Sequence, residues 1–188
     1  RLVGSEMCIR DSPDVGDEEI NEIKKVFDTK FLTEGQTTKE FEEQVASYLG
    51  VKHAIAVTSC TTGLHAVFEG LHIKGQEVLV PDYTYPATAE AVVLAGGIPV
   101  ITDVDIDSMN MTTEILEEGY NEKMTVFEPV SWAGVPLESS IYKKSKDLGL
   151  KCLEDSACSL GAKIGNDYVG NIAEFSCFSF HPRKVITT

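Results

Sequence analysis

Asp155 ends an apolar run in the segment Leu153-Glu-Asp-Ser-Ala157, and Lys184 follows it by 29 residues, past Ser179. A carboxylate in such a place is either a turn cap or the charge partner of a cationic ring nitrogen. A lysine taken alone is a solvated surface cation. Beside a phosphate site and a buried acid it is different: desolvation lowers its pKa from about 10.4 and makes it a nucleophilic amine. The segment Ser59-Cys-Thr-Thr-Gly63 offers hydroxyls and backbone N–H groups at the start of an expected helix. Thr61, Thr62 and Gly63 there suit a phosphate dianion, held by hydrogen bonds and the helix dipole. The plainer alternative makes Ser59 or Thr61 a simple N-cap. Tyr85, between Thr84 and Pro86, is either a core aromatic or a flat face for a flat ligand.

Phosphate anchor, ring-nitrogen carboxylate, aromatic face and amine nucleophile are together what pyridoxal phosphate (PLP) demands. Competing chemistries lack their residues. The turn at 59–63 carries neither the glycine pattern of a dinucleotide site nor the Gly-Lys pattern of a nucleoside triphosphate site. No Gly-x-Ser-x-Gly marks a serine hydrolase. His53, His65, His72 and His181 form no His-Glu-x-x-His, and Cys152, Cys158 and Cys177 lack zinc-ribbon spacing. The cysteines read as small buried hydrophobes.

The elements that must position these residues follow from periodicity. Short apolar runs predict strands at Ala54–Thr58, Glu77–Val80, Ile98–Val104, Met124–Val130, Lys151–Leu153 and Phe175–Phe180. Apolar residues at helical spacing predict helices from about Asp17, from Thr38 to Tyr48, and near Thr62–Leu71, Ala87–Ala95, Thr113–Gly119 and Ser139–Leu148. Gly161–Asn171 reads as a hairpin-like excursion. Strand–helix alternation predicts an α/β three-layer sandwich, a mostly parallel sheet covered on both faces. Such sheets bind ligands beyond the carboxyl ends of their strands, which is where the chemistry-bearing residues fall.

Composition narrows the partners. The chain has 188 residues and a net charge of -14, with 16 Lys plus Arg against 30 Asp plus Glu. Nucleic acid and anionic membranes need a basic face, so neither is an expected partner. No apolar run approaches the roughly 18 residues that span a bilayer, and five cysteines without a Cys-x-x-Cys pair are no disulfide framework. A cytoplasmic protein is expected. Residues 1–12 (RLVGSEMCIRDS) fit no structural template. They resemble the in-frame translation of a sequencing adapter, so they are set aside as an artefact and the fold is read from Pro13.

From Pro13 to Thr188 the chain resembles the DegT/DnrJ/EryC1/StrS aminotransferases, PLP enzymes of fold type I that act mostly on nucleotide-linked keto-sugars. The motifs that carry the resemblance occur in order. They are Leu32-Thr-x-Gly35, Phe41-Glu42, Leu49-Gly50-Val51, Ser59-x-Thr61-x-x-Leu64, Pro81-x-x-Thr84-Tyr85-x-Ala87-Thr88, Glu154-Asp155-x-Ala157, Leu160-Gly161-Ala162 and Phe178-Ser179-Phe180-x-x-x-Lys184. The resemblance implies that Lys184 bonds covalently to the cofactor, that Asp155 holds the proton of the pyridine nitrogen, and that Tyr85 stacks on the ring. Thr61, Thr62 and Ser179 would bind the phosphate. Cys158 stands where the family usually has a glutamine contacting the ring hydroxyl, and Trp132-Ala-Gly134 where an aromatic-Gly pair is common.

The resemblance further implies a nucleotide-sugar substrate, an amino-acid donor (usually glutamate) and a homodimer. It also implies that residues 13–188 are an N-terminal segment plus most of the PLP-binding large domain, cut before the last strand and the small domain. The alternatives are a PLP-dependent sugar dehydratase, disfavoured by Lys184 where those members carry histidine, and a non-catalytic PLP-binding regulator.

Overall fold

The computed structural model describes residues 13–187; the adapter-like segment 1–12 lies outside them. Two compact units divide the chain, 57–179 and the remainder.

The larger unit is built on a five-stranded sheet of order β2-β1-β3-β4-β7. Its strands are β1 (Glu77–Pro81), β2 (Ile98–Thr102), β3 (Met124–Phe127), β4 (Lys151–Asp155) and β7 (Phe175–Cys177). Every neighbouring pair in it is parallel. A separate antiparallel hairpin, β5 (Lys163–Ile164) with β6 (Asp167–Tyr168), fills the expected excursion.

Side chains alternate across a strand, and the two faces carry different helices. Val78 and Val80 of β1 pack with Leu64 and Phe68 of α3 (Cys60–Gly70) and Ala91 and Val92 of α4 (Ala87–Leu94). Leu79 faces the other way, into Leu116 of α5 (Thr113–Gly119) and Ile141 of α6 (Ser139–Asp147). Helices therefore cover both faces, giving three layers. Each fully buried Leu or Phe stabilises by about 1.5–3 kcal/mol.

The smaller unit contains α1 (Asp17–Thr29) and α2 (Gln36–Leu49). Three acids fill the first turn of α1, where the helix dipole favours negative charge. Ile20, Ile23 and Phe27 of that helix are exposed. In α2, Phe41 meets the ring of Phe180 edge-on at 5.0 Å, and Glu42 accepts the backbone N–H of Ala56 at 2.7 Å.

Several strand expectations change. Ala54–Thr58 is not a strand: among the described residues it joins no ladder, and Ile55 is 80% exposed. Its composition is right, but a strand exists only where a neighbour accepts its backbone bonds. The β2 strand ends at Thr102 instead of Val104, because the Asp103 side chain captures the N–H of Val104 at 2.8 Å. Pro129, which has no N–H, ends β3 early, although Val130 returns as an isolated bridge to Asp155. The β4 strand runs to Asp155, and β7 stops at Cys177 rather than Phe180.

Candidate active site

The carboxyl ends of β3, β4 and β7 and the N-termini of α3 and α4 build one site within the larger unit. Asp155, the last residue of β4, is only 5% exposed. Its Oδ2 accepts the hydroxyl of Thr88 at 2.9 Å, its Oδ1 accepts the Ala157 N–H at 3.1 Å, and the Cys60 thiol lies 4.0 Å from Oδ1. Thr88 sits in the first turn of α4, and its own N–H and hydroxyl both reach the Tyr85 carbonyl at 3.1 Å. One threonine thus ties the Tyr85 turn to the buried acid. The Tyr85 ring itself is 73% exposed, so a core role is excluded.

Ser59 caps α3: its Oγ accepts the Thr62 N–H at 3.1 Å. The Thr62 hydroxyl lies 2.7 Å from Ser59 Oγ and 3.2 Å from Thr58 Oγ1, forming a row of three hydroxyls at the helix start. Thr61 is half-buried beside them. Ser59 is therefore an N-cap, and Thr62 shares its hydroxyl with the same cluster. The start of α3 sits tightly on β7. A Cβ added at Gly63 would come within 3.3 Å of Cys177 Sγ, and the Cys60 thiol reaches the Cys177 carbonyl at 3.5 Å.

Beyond β4 the chain turns through Ser156 and Ala157 to Cys158, which is half-buried. The Cys158 carbonyl packs against Gly134, where an added Cβ would stand 2.8 Å away. Gly134 has φ of +85°, and Ala133 before it also has positive φ, so the Trp132–Gly134 turn is sharply wound. Asn110 braces this turn, accepting the Trp132 N–H at 2.9 Å and donating to the Val135 carbonyl at 3.0 Å. The Trp132 ring packs against Tyr83, which lies two residues before Tyr85, with centroids 4.7 Å apart and the planes tilted by 54°.

Electrostatically the site is acidic underneath. Glu128 and Glu154 are both fully buried. Burial pushes Glu154 above the usual carboxylate range, although the hydroxyls of Ser131 and Tyr142 both donate to it. Burial raises Glu128 further, with the Asp155 charge adding to it. Burial also pushes the Cys177 thiol up to about 12, with Asp155 and Glu128 contributing.

The structure thus brings together Asp155, the Tyr85 turn and the α3 start with Thr61 and Thr62. Ser179 lies two residues beyond β7 and is half-buried. Lys184 belongs to the smaller unit. There it is half-buried in a turn, its N–H donating to the His181 carbonyl at 2.8 Å. The sequence offered Ser59 as an N-cap, which it is, and gave no role to Thr88, Cys60 or Glu128. Thr88 stood within a quoted motif, and a lone acid inside the apolar run Met124–Val130 was a readable signal for Glu128.

Comparison with known proteins identifies the family and the fold. The profile of the DegT/DnrJ/EryC1/StrS aminotransferase family matches residues 13–188. The UDP-4-amino-4,6-dideoxy-N-acetyl-beta-L-altrosamine transaminase of Campylobacter jejuni is 34% identical over 175 residues, covering 90% of this chain and 46% of that protein. Helicobacter pylori PseC, an aminotransferase in pseudoaminic acid biosynthesis, superposes with a TM-score of 0.88 at 31% identity, over 94% of this chain and 48% of its own. Spr1654 of Streptococcus pneumoniae, solved in a PLP-form, gives a TM-score of 0.88 at 29% identity, over 94% and 49%. The chain spans about half the length of the relatives it matches. With a family profile covering everything from Pro13 onward, and with the fold to match, the chain belongs to the DegT/DnrJ/EryC1/StrS aminotransferase family.

Proposed function

We propose that the protein transfers an amino group from glutamate to a nucleotide-linked keto-sugar, with PLP as its cofactor, in the making of amino sugars for cell-surface polysaccharide. The observation that carries the reading is the buried Asp155 carboxylate at the end of β4. Its bonds to Thr88 and Ala157 leave an oriented acceptor beside a helix N-terminus rich in hydroxyls. The donor set fits the cofactor: a buried anion suits a cationic ring nitrogen, and the α3 N–H groups suit a phosphate. The substrate class is supported by the names of relatives, which include a UDP-sugar transaminase and a structure holding a TDP-sugar product.

In this reading Asp155 keeps a proton on the ring nitrogen, while the Thr88 hydroxyl and the Ala157 N–H fix its carboxylate. The N-terminus of α3, with Thr61, Thr62 and later Ser179, holds the phosphate. Tyr85 would cover one face of the ring and exclude water, and Cys158 would offer a weak thiol donor to the ring hydroxyl. The cofactor supplies an electron sink for charge developing at the donor carbon. Lys184 would hold the cofactor, and its amine would take and return the proton at that carbon. A homodimer in the cytoplasm fits the family; no helix among the described residues is long and apolar enough to cross a membrane.

The test is spectroscopic. Full-length protein reconstituted with PLP should show visible absorbance that glutamate bleaches, and Lys184→Ala should lose both the absorbance and the bleaching. A Lys184→Ala protein that still forms a borohydride-reducible adduct at another lysine would overturn the assignment.

A further inference from the structure

Glu128 is the one acid of the site whose partners are missing. It is 0% exposed, and both carboxyl oxygens are buried without a hydrogen-bond partner. Its place follows from strand register. Phe127 pairs with Cys152 and Val130 bridges Asp155, which sets Glu128 opposite Leu153, two residues before Asp155 on the neighbouring strand. Val126 and Leu153 belong to the core face under α3 and α4, and side chains two apart share a face. Glu128 and Asp155 therefore lie on the same face, diagonal to one another. They are close enough for the Asp155 charge to act on Glu128. The Glu128 N–H is held by the Leu79 carbonyl at 2.9 Å, so its backbone is fixed.

We propose that Glu128 is a positioning residue of the Asp155 site: a buried acid held one rung beneath the ring-binding carboxylate, whose proton is held less tightly when a cationic ring nitrogen docks against Asp155. This rests on the PLP reading above. Asp155 of β4 and Cys177 of β7 are the titratable neighbours of Glu128, and the thiol stays protonated. The α3 helix presents Cys60 toward Asp155, α4 presents the Thr88 hydroxyl toward Asp155, and β1 presents Val78 and Val80. Nothing cationic faces it among these groups.

Burial first, and the Asp155 charge second, oppose ionisation of Glu128. A cation bound at Asp155 cancels much of that second opposition, so the Glu128 proton is held less tightly. Linkage is reciprocal: ionised Glu128 adds negative charge beneath the site and tightens the hold on the cation. The step balances simply, since the carboxylic acid becomes a carboxylate and its proton passes to buffer.

The experiment is calorimetric titration of full-length apoprotein with PLP, in two buffers of different ionisation enthalpy, from pH 6 to 9. Wild type is compared with Glu128→Gln, which copies the neutral acid, and Glu128→Met, which removes the polar group. Wild type should release up to about one more proton per site than either variant, by an amount that changes with pH. Its affinity should also rise with pH relative to theirs, by up to about tenfold for each unit by which the cation lowers the Glu128 pKa. A purely structural role would move melting temperature without changing the proton count. Equal counts in all three proteins across the range would overturn the inference while leaving the PLP reading intact. Loss of PLP binding in both variants would overturn it too, because a neutral acid should be replaceable by its neutral isostere. Failure of the wild type to bind PLP would instead sink the reading on which it rests.

Discussion

Asp155 is fixed from two sides: one oxygen accepts the Ala157 N–H, as a turn cap does, and the other accepts the Thr88 hydroxyl. A cap alone has no need of the second bond, which comes from a helix 67 residues away in sequence and supports the proposed cofactor role. Asp155→Asn in the full-length protein should therefore cut turnover strongly. Losing the buried partner of a cation typically costs about 3–5 kcal/mol. At about 1.4 kcal/mol per tenfold, that is a loss of roughly a hundredfold or more in rate. Steady-state kinetics decide it, and wild-type turnover in the variant would reduce Asp155 to a turn residue. Cys158 gives a second test at this scale. Its carbonyl is packed against Gly134, but the side chain belongs to a half-buried turn, so the longer glutamine should be accommodated. Cys158→Gln should keep or improve PLP retention during dialysis; loss of the cofactor with the fold intact would mean that the pocket is shaped around the thiol.

The elements were largely legible because their causes are local. Helix starts such as Ser59 before α3 and stops such as Gly50 after α2 are set within a turn of sequence. The acid after an apolar run at Asp155 and the hydroxyls at 59–62 were legible for the same reason. Ala54–Thr58 was not, since its strand composition says nothing about whether a neighbour is present to bond it. Nor was the pairing of Thr88 with Asp155, which joins residues 67 apart in sequence. The role of Glu128 depends on register between β3 and β4, a property of the sheet. The Trp132–Gly134 turn shows how one element supports another. Gly134 has φ of +85° and leaves no space for a Cβ beside the Cys158 carbonyl. Left-handed backbone costs a non-glycine residue about 1–2 kcal/mol before any clash. Gly134→Ala should therefore lower the melting temperature and push the Cys158 turn aside, weakening PLP retention. An unchanged melt would show that the turn yields freely.

At the scale of the whole chain, the larger unit has two closed core layers, yet apolar side chains remain at the surface. Ile55 is 80% exposed and Ile106 78%, and Ile20, Ile23 and Phe27 of α1 are each near half exposed or more. The strand-forming segment at 54–58, which joins no ladder among the described residues, adds Ile55 and Val57 to that surface. Exposed apolar area of this kind favours association and loose packing. Residues 13–188 produced alone should therefore bind a hydrophobic dye, melt broadly and show no transaminase activity. The acids beneath the site add a pH dependence of known sign. Glu128 and Glu154 bind protons more tightly folded than unfolded, because burial raises both. Above the ordinary carboxylate range the unfolded chain has released those protons while the folded one retains them, so stability falls as pH rises through that window. The melt of residues 13–188 should accordingly move to lower temperature as pH rises above the ordinary carboxylate range, and Glu128→Met should flatten the slope. Full-length protein should melt sharply and at higher temperature under the same conditions. A cooperative melt of residues 13–188 alone, with stoichiometric PLP binding, would show that the exposed apolar faces need no cover.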